Sequence, residues 1–331
     1  MLKTDICFDL SDEDLAKFSD DGFLIKERLI GTDEVQRLRA CFEPMFRGVF
    51  ETGLYPDEWN WVEGRDPPDR TRQICNGWKS DRTVAACVLS ADIGRACARI
   101  AGWPGARIGQ DNVLWKPPGA KSLGFHQDDA YCQWVVPSGY VTVWLALDDT
   151  AADGGTLEYA RGSHKWGVRL PRHAFHAPDD YRAALREATE AAGVAAPEIV
   201  PVEVPAGGGA IHHGGTWHGS GPNRSGIPRR AIVTHCISSE ARFHPTEISY
   251  VYNRYKFAGD DRMDESFFPI LWREDGYRTP FLDAYRVGSP ELVTQDAGGA
   301  PFQCSNRLEE ILDRHCDSRS GTIVPIATSQ I

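Results

Sequence analysis

The sequence predicts a mainly β fold with helical decoration, its core an antiparallel sandwich or barrel. Three observations carry that expectation. From about Arg107 the chain breaks into short segments at 107–116, 140–147, 155–160, 199–204, 208–213 and 229–238, rich in β-branched or aromatic residues. Gly, Pro, Asn and Asp separate them, the residue types that turns require. Upstream, apolar residues recur instead at three-to-four spacing, as on a helix with one buried face.

Ser11 followed by Asp14 reads as an N-cap with an acidic first turn, which starts a short helix. Gly22-Phe23-Leu24-Ile25 reads as a strand, and Thr32 as the cap of a second helix. The buried face of that helix is Val35, Leu38, Phe42, Met45, Phe46 and Val49. Residues 53–80, rich in Pro, Asp and Trp, read as loop, and Ser90 caps a helix to about Ala101. A polar helix over about 178–192 interrupts the β region. No change of composition divides the chain. We therefore expect one domain over 1–331, with N-terminal helices at 11–101, a core at about 105–240, an insertion at about 165–198 and a C-terminal extension at 240–331.

The chain has 331 residues, 41% hydrophobic, with 36 Lys and Arg against 47 Asp and Glu, a net charge of −11. Such a balance suits neither nucleic acid nor an anionic membrane, both of which need basic patches. Nine cysteines are scattered without a CxxC pair, as expected of free thiols in a reducing compartment. Residues 1–10 carry Asp5 and Asp9 and no long apolar run, so no secretory leader is expected there. No run of about 18 apolar residues appears anywhere. The expectation is a cytoplasmic protein; no motif encodes an oligomeric state.

The chemistry lies in two short pieces about ninety residues apart, His126-Gln127-Asp128 and His218 with Arg229. Two imidazoles and one carboxylate form the face that holds Fe(II) while leaving coordination positions open. In a strand, His126 and Asp128 point to one side and Gln127 to the other. An HxD pair alone is usually structural, but its downstream context adds weight. Pro222, Asn223, Gly226 and Pro228 form a turn that brings Arg229 back toward His218, leaving room for a dicarboxylate. A guanidinium fork matches a carboxylate through two hydrogen bonds, and Ser220 could add a hydroxyl. Arg230 faces the other way. His212 and His213 also lie near. Only one of two neighbours can face inward, and the spacing to Arg229 favours His218. His164, in GSHKWG, reads as structural.

The run NVLWKPPG, FHQD, VTVWLAL, DGGTLEYARGSHKWG, GGAIHHGGTWHGSGPNRS and RRA, over roughly 107–237, closely resembles the phytanoyl-CoA dioxygenase family of Fe(II)/2-oxoglutarate oxygenases. The resemblance implies a double-stranded β-helix, a cupin-like jelly-roll. It implies Fe(II) on His126, Asp128 and His218, 2-oxoglutarate held at its distal carboxylate by Arg229, and O2 as oxidant. Trp144 falls where the family lines the co-substrate pocket, and Asn112 on a strand that adds a contact. Halogenating relatives carry a small residue in place of Asp128, so hydroxylation, desaturation or ring closure at an unactivated C–H bond is implied instead.

Substrate is less legible. Asp129 and Tyr131 follow the triad carboxylate and are expected to border the cleft. Trp61, Asn76 and Trp78 could cover a substrate, with packing as the alternative. An acyl-CoA hydroxylase within the same family is an alternative, but no basic cluster suits the phosphates of such a substrate. Asp57, Glu58, Glu63, Asp66 and Asp129 suit a small polar molecule, and a cationic one in particular, such as an aminoglycoside-type or other natural product. Two other readings are a jelly-roll metal hydrolase or isomerase that does not use 2-oxoglutarate, and a binding protein without activity. Arg229 argues against the first, and an intact triad against the second.

Overall fold

A β-strand buries alternate residues on opposite faces, and this chain uses both faces of one large sheet. The computed structural model describes residues 8–170 and 172–287. In chain order they form α1 (Asp12–Asp21), β1 (Phe23–Lys26), α2 (Thr32–Phe46), β2 (Glu58–Trp59), β3 (Arg72–Cys75), α3 (Arg82–Val88) and α4 (Ala91–Ala101). There follow β4 (Gly105–Lys116), β5 (Leu123–His126), β6 (Val135–Val136), β7 (Val141–Ala146), β8 (Leu157–Ala160), α5 (Ala183–Ala191) and β9 (Ile199–Pro201). The remainder is β10 (Gly209–His213), β11 (His218–Ser220), β12 (Arg229–Ser238), β13 (Arg242–Phe243), β14 (Ile270–Arg273) and α6 (Leu282–Val287).

The larger sheet runs β1-β10-β7-β12-β4-β3-β2, with β14 also on β4; the smaller runs β5-β11-β8-β9. Every pairing is antiparallel. Val143, Leu145, Ile211 and Ile232 on the outer face of the larger sheet pack on Leu38, Phe42, Met45, Phe46 and Ile93 of the helices. Trp144, Ala146, Ala210, Ala231 and Val233 on its inner face meet Leu157 and Tyr159 of the smaller sheet. This is the double-stranded β-helix the resemblance implied. Among the described residues, no helix is long and apolar enough to cross a membrane.

Local chemistry explains the helix ends. Asp14 N–H donates to Ser11 Oγ at 3.1 Å and Ser11 N–H to Asp14 Oδ2 at 3.0 Å, a reciprocal cap. Ser90 accepts from Asp92 N–H at 3.2 Å to start α4. Four expectations need correction. Thr32 is the first residue of α2, behind Gly31, and makes no side-chain cap. Val49 lies beyond the end of α2 and is 63% exposed. Residues 53–80 are not all loop, because β3 adds a strand beside β4. The turn after His218 does not close a hairpin: β11 and β12 belong to different sheets, so the connection crosses the sandwich. Residues 1–7 and 288–331, including the end of the expected C-terminal extension, lie outside the described residues.

Candidate metal centre

The two imidazoles come from neighbouring strands of the smaller sheet, where His218 is the register partner of His126. Gly219 permits the fit, since a Cβ there would meet the Phe125 ring at 2.6 Å. Asp128 is not on a strand. β5 ends at His126, Gln127 stays extended, and Asp128 opens a short 3-10 turn. The side chains converge regardless. Asp128 Oδ1 lies 3.6 Å from His126 Nε2 and 3.5 Å from His218 Nε2. One ligand atom from each of the three lies within 4.8 Å of the others. Adjacent ligands on one ion with bonds of about 2.1 Å sit about 3 Å apart, so a small closure suffices.

The hydrogen bonds leave the right atoms free. His126 Nδ1 lies 2.9 Å from Gly124 O, and His218 Nδ1 lies 2.9 Å from Thr216 O. A carbonyl only accepts, so both Nδ1 atoms carry the proton and both Nε2 lone pairs face the centre. Burial pushes the His218 imidazolium well below its ordinary range, which keeps the ring neutral as a ligand. Burial opposes ionisation of Asp128, but the field of the His218 and His235 imidazoles and the hydrogen bond from His212 hold its carboxyl well below the usual range. Phe175 packs edge-on against His126 at 4.8 Å.

The outer oxygen of Asp128 is clamped by the larger sheet. Oδ2 accepts from Thr142 Oγ1 at 2.7 Å and from His212 Nε2 at 3.0 Å, and His235 Nδ1 lies 3.4 Å away. One proton arrangement satisfies the network. His235 Nδ1–H donates to Thr142 Oγ1 at 2.8 Å, and His235 Nε2 accepts from Asn112 Nδ2 at 2.9 Å. Asn112 Oδ1 then accepts from Gln73 Nε2 at 3.0 Å and Gln110 Nε2 at 3.1 Å. Tyr159 O–H donates to His212 Nδ1 at 2.7 Å. Sequence reasoning missed Thr142, His235 and Tyr159, and weighed His212 only as a rival ligand. A period of two counted from Arg229 along β12 leads to Val233 and His235, and along β7 from Trp144 to Thr142.

Arg229 lines the same cavity, which measures about 350 Å³. Its guanidinium is buried, donates through Nη2 to Gly155 O at 3.0 Å, and lies 5.7 Å from the Trp144 ring. Its Nε has no partner, and no carboxylate among the described residues pairs with it. Burial pulls its pKa down to about 10, against the field of Asp148. A buried cation with an orphaned donor fits a ligand carboxylate. Arg230 points the other way, to Asp148 at 2.7 Å. His213 is half-buried and turned from the centre, and His164 contacts Ser19 O at 3.1 Å.

Asn112, Trp144, Ser220 and Tyr131 also line this cavity. Four residues expected at the substrate do not. Asp129 turns away and accepts from Tyr140 N–H at 2.7 Å, with burial pushing its carboxyl up to about 7. Trp61 donates to Pro67 O at 3.0 Å under the Arg72 guanidinium, 3.7 Å from its ring centre. Asn76 is a turn residue with φ of +56°, donating to Asp57 at 2.6 Å. Trp78 packs in the helical core. Of the acidic group only Glu58 lines the cavity; Asp57 pairs with Lys79 at 2.7 Å and Asp66 with Arg65 at 2.7 Å.

Known proteins resemble this chain in sequence and fold. A phytanoyl-CoA dioxygenase domain-containing protein 1 of Danio rerio is 24% identical over 281 residues, covering 70% of this chain and 91% of its own length. The carbocyclase SnoK from nogalamycin biosynthesis superposes with a TM-score of 0.61 at 24% identity, over 80% of this chain and 97% of its own. The epimerase SnoN, solved with Fe3+, α-ketoglutarate and nogalamycin RO, gives 0.59 at 20% identity, over 78% and 97%. The phytanoyl-CoA dioxygenase (PhyH) family matches residues 18–231, more than half of the sequence. The chain therefore belongs to the phytanoyl-CoA dioxygenase family of Fe(II)- and 2-oxoglutarate-dependent oxygenases.

Proposed function

We propose that this dioxygenase oxidises an unactivated C–H bond of a small polar metabolite, by hydroxylation or oxidative ring closure, in the tailoring of a natural product. The observation that carries the co-substrate assignment is Arg229, a buried cation that pairs with no carboxylate among the described residues, in the cavity of the triad. His126, His218 and Oδ1 of Asp128 would hold the iron; Arg229 and Ser220 would hold the distal carboxylate beside Trp144. Iron held there would supply the oxidising chemistry with 2-oxoglutarate and O2, the co-substrate leaving as succinate and carbon dioxide. The chain's own part is to bind, orient and exclude water.

The far part of the cavity supports a polar substrate. Glu58, Asn60, Gln73 and Gln110 offer acceptors and donors, with Tyr131, Phe175 and Tyr250 as ring surfaces. Glu58 has a thiol partner, Cys75 at 3.3 Å, but no Lys or Arg among the described residues. That favours a substrate bearing an amine. Arg229 is the sole Lys or Arg among the described lining residues, which disfavours the phosphates of an acyl-CoA. The relatives from nogalamycin biosynthesis support the natural-product class.

The test has two stages. Anaerobic Fe(II) with 2-oxoglutarate should give a weak visible charge-transfer band, and Arg229→Ala should weaken 2-oxoglutarate while iron stays bound. Substrate-dependent succinate release is then compared across amino sugars, amino acids and acyl thioesters. No band in the wild type overturns the co-substrate assignment; stimulation by thioesters alone overturns the substrate class.

A further inference from the structure

Behind the co-substrate end of the cavity lies a second buried cation. Lys116 closes β4 as the register partner of Arg229 and is 0% exposed. Its ammonium donates to Ser220 Oγ at 2.7 Å and to Gly221 O at 2.5 Å. It does not line the cavity, whereas Ser220 and Arg229 do. Its backbone is fixed, since Asn223 Nδ2 donates to Lys116 O at 3.2 Å. Burial, and then the field of Arg229, lowers its proton affinity; the acid opposing this is Glu158, whose carboxylate is already engaged by Arg182 at 2.5 Å.

A hydroxyl has one proton and two lone pairs. Lys116 occupies a lone pair of Ser220, and among the described residues that hydroxyl has no acceptor. Its proton is therefore available to the cavity that Arg229 also faces. The Ser220 hydroxyl and the buried Arg229 guanidinium, which pairs with no carboxylate among the described residues, present donors at one wall and form a site for an anion.

We propose that Lys116 is a positioning residue for the co-substrate: it orients Ser220 as a hydrogen-bond donor and, with Arg229, makes this wall selective for a second carboxylate. The inference rests on the 2-oxoglutarate assignment above. It is tested without turnover, by anaerobic titration of the Fe(II)-loaded protein with 2-oxoglutarate and with 2-oxopentanoate, which lacks the distal carboxylate.

Wild type should prefer 2-oxoglutarate strongly. Lys116→Met and Ser220→Ala should each cut that preference on the order of tenfold, as expected for loss of a hydrogen bond to a charged group. The double variant should lose less than the product of the two, because Lys116 acts through Ser220. Iron affinity should stay at the wild-type value. A purely structural lysine would weaken both ligands alike and leave the preference intact. Should Lys116→Met fail to fold, Lys116→Leu likewise removes the donor to Ser220 and is read the same way. An unchanged preference in these variants overturns the role of Lys116 and leaves the oxygenase reading standing. A wild type that does not distinguish the two acids overturns the 2-oxoglutarate assignment itself.

Discussion

Replacing Thr142 by valine removes one hydroxyl from a fully buried site and leaves the shape nearly unchanged. That hydroxyl makes the shortest of the contacts to the outer oxygen of Asp128, 2.7 Å against 3.0 Å from His212 and 3.4 Å to His235. A hydrogen bond to a charged group contributes about 1.5–3 kcal/mol. Two donors remain, and His235 Nδ1, having lost its acceptor, can turn its proton toward Asp128. The loss therefore falls at the low end, about 1.5 kcal/mol, or roughly tenfold in affinity. Partners that orient metal ligands commonly carry effects of about 10- to 100-fold, in agreement. The assay is anaerobic competition for Fe(II) against a chromogenic chelator, with melting temperature as the control for folding. If Thr142→Val binds iron as tightly as wild type while Asp128→Ala does not bind it, the clamp on Oδ2 does not orient the carboxylate and the reasoning fails.

Two further outcomes follow from buried groups outside the centre. Burial pushes the Asp111 carboxyl up to about 7, although it accepts N–H bonds from Trp78 and Gly77. The folded state thus holds this proton more tightly than the unfolded chain, whose carboxyl keeps its ordinary value of 3.8. The associated stability is full below that value and is lost as pH rises through about 7, so Asp111→Asn should flatten the decline of urea midpoints across this window. Phe42, 1% exposed beneath the larger sheet, should cost about 3–5 kcal/mol when cut to alanine, measured by denaturant unfolding with an unchanged m-value.

What the sequence made legible depended on what each segment buries. β4, β7, β10 and β12 are covered on both faces, so their runs of β-branched and aromatic residues stand out. β3 was hidden because Arg72 and Gln73 are polar, Gln73 facing a polar cavity, and the alternation of a half-buried strand is lost there. α3 was hidden for the opposite reason: residues 84–88 are buried all round and show no amphipathic stripe. The triad and Arg229 were legible because their residue types are chemically committed. The tryptophans were not, since an indole serves a core and a binding surface equally. Trp61 and Trp78 lie in the core, and composition says nothing about which side of a sheet a loop returns on. Thr142 and His235 escaped for lack of a motif, although strand alternation points to both.

The centre is assembled from two layers. His126 and His218 belong to the smaller sheet, while Asp128 is gripped by side chains of the larger. An ion taken up here is thus a rivet through both plates of the sandwich, and uptake stabilises whatever it fastens. Iron supply would then set the lifetime of the protein along with its turnover: a chain starved of metal would part more readily at the rim and reach the cell's proteases sooner.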